Sequence, residues 1–128
     1  MAKIHQEETF ATTPAKVYRA LIDSSEHAKF TGAPAEIGQN VGDAWSAFGG
    51  MISGRQVELV AGVRIVQTWR AGSWPEGVHS IVRFELEPDG SGTTVVLDHD
   101  AVDEDQVQHL GGGWAKMYWE PLRKHLQA

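Results

Sequence analysis

Hydrophobic and polar positions change their spacing three times along this chain. Ile4 to Phe10 is short and partly polar, as in a strand at a sheet edge. Thr13-Pro14 then predicts a helix start, because threonine caps and proline suits the first helical position. Val17, Tyr18, Leu21 and Ile22 follow on one helical face. Asp23-Ser24-Ser25-Glu26 is a second start signal, with Glu26 placed as in a capping box. That short helix is expected to end near Gly32, before Pro34, and residues 33–42 read as a loop. The spacing then becomes that of strands over Asp43 to Phe48, Ile52 to Val60, Val63 to Arg70, Val78 to Glu87 and Thr93 to Asp100. Gly49-Gly50, Ala61-Gly62, Gly72 to Gly77 and Asp89-Gly90-Ser91-Gly92 separate them, short enough for successive antiparallel hairpins.

From Asp103 the helical spacing returns. Asp103-Glu104-Asp105 put negative charge in the first turn, where the helix dipole favours it. Val107, Leu110, Trp114, Tyr118 and Leu122 form an apolar stripe. Gly111-Gly112-Gly113 predicts a kink or restart near Gly113, and is read as letting the helix approach the sheet closely. Pro121 cannot donate to the carbonyl of Met117, which predicts a second bend. Strand, two short helices, five strands and a long helix define an α+β domain covering residues 1–128, with helix packed on one face of an antiparallel sheet.

Strand alternation sorts the side chains by face. Val63, Ile65, Gln67 and Trp69 share a face, as do Val78, Ser80, Val82, Phe84 and Leu86, and Val95, Leu97 and His99. Trp45, Trp69, Phe84, Trp114 and Tyr118 are therefore expected to converge beneath the helix, with Gln67, His99 and Tyr118 as the polar groups among them. An apolar ligand pocket and a packed, internally satisfied core both fit this set.

Other patterns lead away from familiar chemistry. In Asp98-His99-Asp100 the aspartates point opposite to the histidine, so no metal site is expected and a solvated acidic rim is. None of the six histidines pairs at the spacing of a helical zinc site, and only His99 falls on an apolar face. Gly50-Met51-Ile52-Ser53-Gly54 has the wrong register for a nucleophile elbow, and there is no phosphate-binding loop. A formal net charge of −6 disfavours nucleic acid. The absence of cysteine, of a long apolar run and of a secretory signal points to a cytoplasmic protein without membrane contact.

Phe10-Ala11-Thr12-Thr13-Pro14 with Val17 and Leu21, Val41-Gly42-Asp43 with Trp45 and Gly54, and Gly113-Trp114 with Tyr118 and Trp119 form one ordered set. Its most specific members are Arg64-Ile65-Val66-Gln67-Thr68-Trp69-Arg70 and Ser73-Trp74-Pro75-Glu76-Gly77. In this order they resemble the C-terminal domain of the heat-shock protein 90 ATPase activator family, within the START and polyketide-cyclase superfamily. The resemblance implies a helix-grip fold, in which a curved six-stranded antiparallel sheet wraps a long C-terminal helix around a cavity. It implies a small hydrophobic-ligand-binding domain, for which the residues that alternation turns inward, Trp45, Gln67, Trp69, Phe84, His99, Trp114 and Tyr118, are the expected ligand-binding residues, with no cofactor. Two alternatives stand beside it. One is a module that contacts a chaperone and stimulates its ATPase through an exposed apolar patch including Trp74 and Trp119. The other is a cyclase- or hydratase-type cavity enzyme using His99 and Tyr118 as acid and base. A monomer and a homodimer are both compatible with the sequence.

Overall fold

Capping chemistry begins both short helices where the sequence places them. The computed structural model describes residues 2–127; Met1 and Ala128, the ends of the expected 1–128 domain, lie outside the described residues. After strand β1 (Ala2–Phe10), the Thr13 hydroxyl accepts from the Lys16 N–H and Pro14 opens helix α1 (Pro14–Ile22). The Asp23 carboxylate accepts from the Glu26 N–H at 3.0 Å to open α2 (Ser24–Thr31), which Gly32 closes at φ 75°. The capping box is only half made, because the Glu26 side chain turns to Arg19 and His125.

The strands β2 (Glu36–Ile37), β3 (Ala44–Ala47), β4 (Ile52–Val60), β5 (Arg64–Ala71), β6 (Ser80–Asp89) and β7 (Gly92–Val102) complete one antiparallel sheet of order β1-β7-β6-β5-β4-β3-β2. The sheet thus has seven strands, one more than expected. The addition, β2, lies inside the predicted loop and is too short to carry a period. It is held by pairing with β3 and by the Ser24 hydroxyl, which accepts from the Ile37 N–H at 2.8 Å. Val63 and Val78, expected on inward faces, are exposed because they lie in the turns just before β5 and β6.

Cross-strand pairs Ile65–Phe84 and Phe84–Leu97 stack the inward side chains into ribs across the sheet. Over these ribs lies a continuous helix made of α3 (Val107–Gly113), a wider π segment (Trp114–Trp119) and α4 (Glu120–Gln127). Backbone torsions at Gly113, Trp114 and Glu120 stay helical, so there is no restart at Gly113. The irregularity is a widened turn, in which Glu120 N–H reaches back to the Ala115 carbonyl. It directly precedes Pro121, which has no N–H to donate. The widened turn brings Tyr118 and Trp119 inward together, beside Trp114 and Leu122. An unbroken α-helical stripe would turn consecutive residues about 100° apart.

Two β1 side chains fasten this helix. The Gln6 amide donates to the Gly111 carbonyl at 3.1 Å and accepts from the Trp119 indole at 2.7 Å. Arg123 donates to Glu8 at 2.8 Å and lies 4.9 Å over the Phe10 ring. The glycine run does not serve close approach. A Cβ at Gly112 or Gly113 would meet nothing within 4 Å, and one at Gly111 only Gln6 Nε2 at 3.7 Å.

Candidate functional site

The inward face of the sheet meets the helix through a buried aromatic and histidine cluster. Trp114 packs on Trp119 at 5.8 Å, Phe84 at 5.7 Å, Trp69 at 6.4 Å and His99 at 5.8 Å. His99 is fully buried and spent in hydrogen bonds. The Trp114 indole N–H donates to His99 Nδ1 at 3.1 Å, so the ring proton sits on Nε2, 2.6 Å from Ser80 Oγ. The Ser80 hydroxyl in turn donates to the Trp69 carbonyl at 3.2 Å. Burial pulls the His99 pKa down to about 4, so the ring stays neutral at physiological pH.

Tyr118 belongs to a different hydrogen-bonded set. Its hydroxyl pairs with Nε2 of His27, on α2, at 2.7 Å. Burial raises the tyrosine pKa and lowers that of His27 to about 4. The His99–Tyr118 acid–base pair considered from the sequence is therefore not assembled. His27 had no signal beyond its place on a short helix.

One end of the trough is open. Phe48, Gly49 and Gly50 take left-handed backbone at φ 53°, 67° and 93°, which is unusual for phenylalanine. This turn between β3 and β4 carries the Phe48 ring to 5.8 Å from Tyr118. The terminal helix and the turn leave between them a recess of about 320 Å³, walled by Phe48, Ile52, Trp69, Leu110, Trp114 and Tyr118. Met51 and Met117 project at its rim, 71% and 49% exposed, beside His109. Of the seven residues singled out from the sequence, Trp69, Trp114 and Tyr118 reach this recess.

The other four sit elsewhere. Phe84 packs deeper, under Trp114 and Trp119. His99 lies behind Trp69 and Trp114. Gln67 donates to the Gln56 amide at 3.0 Å, which donates to the Gly38 carbonyl at 3.1 Å, tying the loop before β3 to the sheet. Trp45 lies across Gly54 and donates to the Thr68 carbonyl at 3.0 Å. A Cβ on Gly54 would stand 1.8 Å from that carbonyl oxygen and 2.8 Å from Trp45 Nε1. Trp45 instead borders an open groove with Glu36, Ile37, Ser46 and Arg55.

Two further expectations change. Trp119, expected in an exposed patch, is 2% exposed and bonded to Gln6. Trp74 is half-buried against Trp69 at 5.4 Å. Its turn is held by the Arg70 guanidinium, which donates to the carbonyls of Trp74, Pro75 and Val78. Asp98 is not part of a solvated rim but 4% exposed. Because β1 and β6 flank β7, Lys3, His5 and Arg83 converge on it. Burial alone would raise the Asp98 pKa, but the hydrogen bonds from His5 and Arg83 and the Lys3 charge outweigh it and hold it at about 2.

A long helix gripped by a curved antiparallel sheet, with an aromatic recess at one end of the trough, defines a helix-grip protein. The chain belongs to the Activator of Hsp90 ATPase homolog 1-like protein family, whose profile matches residues 11–127. It is 28% identical over 122 residues to the human activator of 90 kDa heat shock protein ATPase homolog 1, covering 95% of this chain and 36% of that protein. It is 29% identical over 124 residues to the mouse homolog 2, covering 97% and 38%. The chain thus spans little more than a third of these relatives' length.

Among solved structures, an HSP90 activator from Plasmodium falciparum superimposes with a TM-score of 0.89 at 23% identity, covering 99% of this chain and 97% of that one. The Aha1 dimer from Colwellia psychrerythraea gives 0.85 at 23% identity, covering 98% and 96%. CalU16 from Micromonospora echinospora gives 0.84 at 19% identity, covering 97% and 75%. These likenesses establish the fold. Among the described residues, no helix is long and apolar enough to cross a membrane.

Proposed function

We propose that this domain binds a small apolar molecule in the recess between the Phe48–Gly50 turn and the terminal helix. The observation that supports this reading is the recess itself. Its volume of about 320 Å³ lies at the lower end of ligand sites, and its walls are mainly aromatic and aliphatic. Trp69, Trp114 and Tyr118 form the contact wall in this reading. Phe84 and His99 hold that wall in place, Gln67 ties the loop before β3 to the sheet, and Trp45 braces the sheet edge. A cytoplasmic setting accords with the cysteine-free composition.

The neutral fluorophore N-phenyl-1-naphthylamine tests it. The wild-type chain should enhance the dye's emission and melt at a higher temperature in its presence. Gly113→Leu places a side chain into the recess wall at a helical position with open space around it. That variant should fold and lose both responses. Unchanged dye binding by Gly113→Leu would remove the recess as the site.

A second reading has its own support. Relatives carry the name of activators of a 90 kDa chaperone ATPase, and Met51 and Met117 offer exposed, adaptable apolar surface at the rim. In this reading the recess takes an apolar side chain of a chaperone, within the stress response. Chaperone turnover measured with and without the chain tests it; stimulation should be lost in Met51→Ser/Met117→Ser. Unaltered turnover on adding the wild-type chain would exclude it.

A further inference from the structure

We propose that the outer edge of β1 is a dimerisation surface, on which a second copy of this chain adds its own β1 antiparallel and makes one continuous sheet. The two edges of the sheet differ. At one end stands β2, two residues long, whose Ile37 N–H is already taken by the Ser24 hydroxyl. At the other stands β1, nine residues long. Even-numbered residues of β1 turn their backbone groups toward β7; the Phe10 carbonyl oxygen lies so near Gly92 that a Cβ there would stand 2.5 Å from it. Odd-numbered residues therefore face outward, because the two directions alternate along an antiparallel strand. The Thr9 carbonyl accordingly accepts from the Arg123 side chain at 3.2 Å. Among the described residues, no strand or helix pairs with the outward backbone groups from Lys3 to Glu7.

A bare edge offers itself to any strand; the side chains here choose a second copy. Lys3, His5 and Glu7 are exposed and share the outer face of the sheet. When two β1 strands run antiparallel about His5, Lys3 of each copy stands opposite Glu7 of the other, and each facing pair exchanges both backbone hydrogen bonds. His5 meets its own copy, with each ring held by Asp98 at 2.7 Å and Glu7 at 3.0 Å in its own protomer. The neighbouring registers are poorer. Centring on Ile4 sets Lys3 against His5. Centring on Gln6 sets Lys3 against Thr9, whose carbonyl Arg123 occupies. Centring on Glu7 sets two carboxylates face to face. Charged residues on an edge strand commonly discourage pairing, and a guard of one sign does so best. A Lys-His-Glu order is instead complementary to itself, and it keeps this edge near neutral on a chain of net charge −6.

Sedimentation over a concentration series, with NMR spectra of a mixed sample in which only one copy is isotope-labelled, tests the assignment. The wild-type chain should form a dimer, with a contact between the Hα protons of Ile4 and Gln6 that arises only between copies. Those residues face each other in a non-hydrogen-bonded pair with Cα atoms about 4.5 Å apart, against about 7 Å for residues two apart within one strand. Lys3→Glu and Glu7→Lys should each weaken the dimer at least about tenfold, because like charges then face each other at both ends of the pairing. Mixed in equal amounts, the two variants should associate to within about threefold of wild type, since each supplies the charge the other lacks. A folding defect in either variant cannot produce that recovery. A wild-type chain that stays monomeric at its highest soluble concentration would overturn the proposal. So would a dimer that lacks the Ile4–Gln6 contact, or one that both variants keep.

Discussion

Acid should unfold this domain through two histidines held neutral by burial. His27 and His99 are 2% and 0% exposed, and both have pKa values lowered to about 4 from the ordinary 6.5. In the unfolded chain each protonates near pH 6.5, and in the folded chain only near 4. Between these values the unfolded state binds more protons, so stability is complete above about pH 6.5 and falls as pH drops. Each residue contributes a slope of at most about 1.4 kcal/mol per pH unit, so two give a loss of about 4 kcal/mol between pH 6.5 and 4.5. That is a large part of the roughly 5–15 kcal/mol that holds a domain together. His5 acts in the opposite sense. Its hydrogen bonds to Asp98 and Glu7 raise its pKa, so its stabilisation is present below 6.5 and fades as pH rises through the shifted value. It is solvent-exposed and offsets the buried pair only weakly. Urea unfolding followed by tryptophan fluorescence at successive pH values measures the slope. His99→Gln should halve it, and His27→Gln should do the same. A midpoint that stays flat from pH 7 to 5 would refute the buried, neutral state of both rings.

Other expectations follow from single contacts. Gly54→Ala should destabilise by about 3 kcal/mol, because its Cβ meets the Thr68 carbonyl and the Trp45 indole; urea midpoints report it, and a neutral effect would contradict the placement of Trp45. Gly112→Ala should stabilise by about 1 kcal/mol and raise the melting temperature by about 4 °C, since open space surrounds a helical position; a lower melting temperature would show that the glycine is required. Gln6→Ala should cost about 2 kcal/mol by leaving the buried Trp119 N–H unpaired, and hydrogen exchange across 114–122 should quicken.

Periodicity located every long element because most of them bury one face. The inward ribs through Ile65, Phe84 and Leu97, and the stripe through Trp114 and Leu122, were legible for that reason. β2 was not, since two residues carry no period. Trp119 looked like a surface residue because its burial depends on a π turn, a departure from regular helical spacing that the Pro121 signal placed nearby without describing. Asp98 looked wet because alternation gives a face but does not say what flanking strands place over it.

The site was legible in part. Trp69, Trp114 and Tyr118 were found through their elements' inward faces. Phe48 and Met51 were missed because they sit at a turn whose left-handed phenylalanine no period announces. Met117 stands at the recess rim because that turn arrives opposite it, which helical spacing does not announce. Trp45 was displaced from the expected convergence by one glycine, Gly54, over which its indole turns toward Thr68.

The central claim is that an apolar molecule enters between the Phe48–Gly50 turn and the terminal helix. Methionine methyl resonances report on it most directly, because Met51 and Met117 both stand at that mouth. With methyl-labelled methionine and saturating N-phenyl-1-naphthylamine, the Met51 and Met117 signals should both shift and show contacts to the naphthalene protons. Saturable binding that leaves both methyl signals unmoved would contradict it.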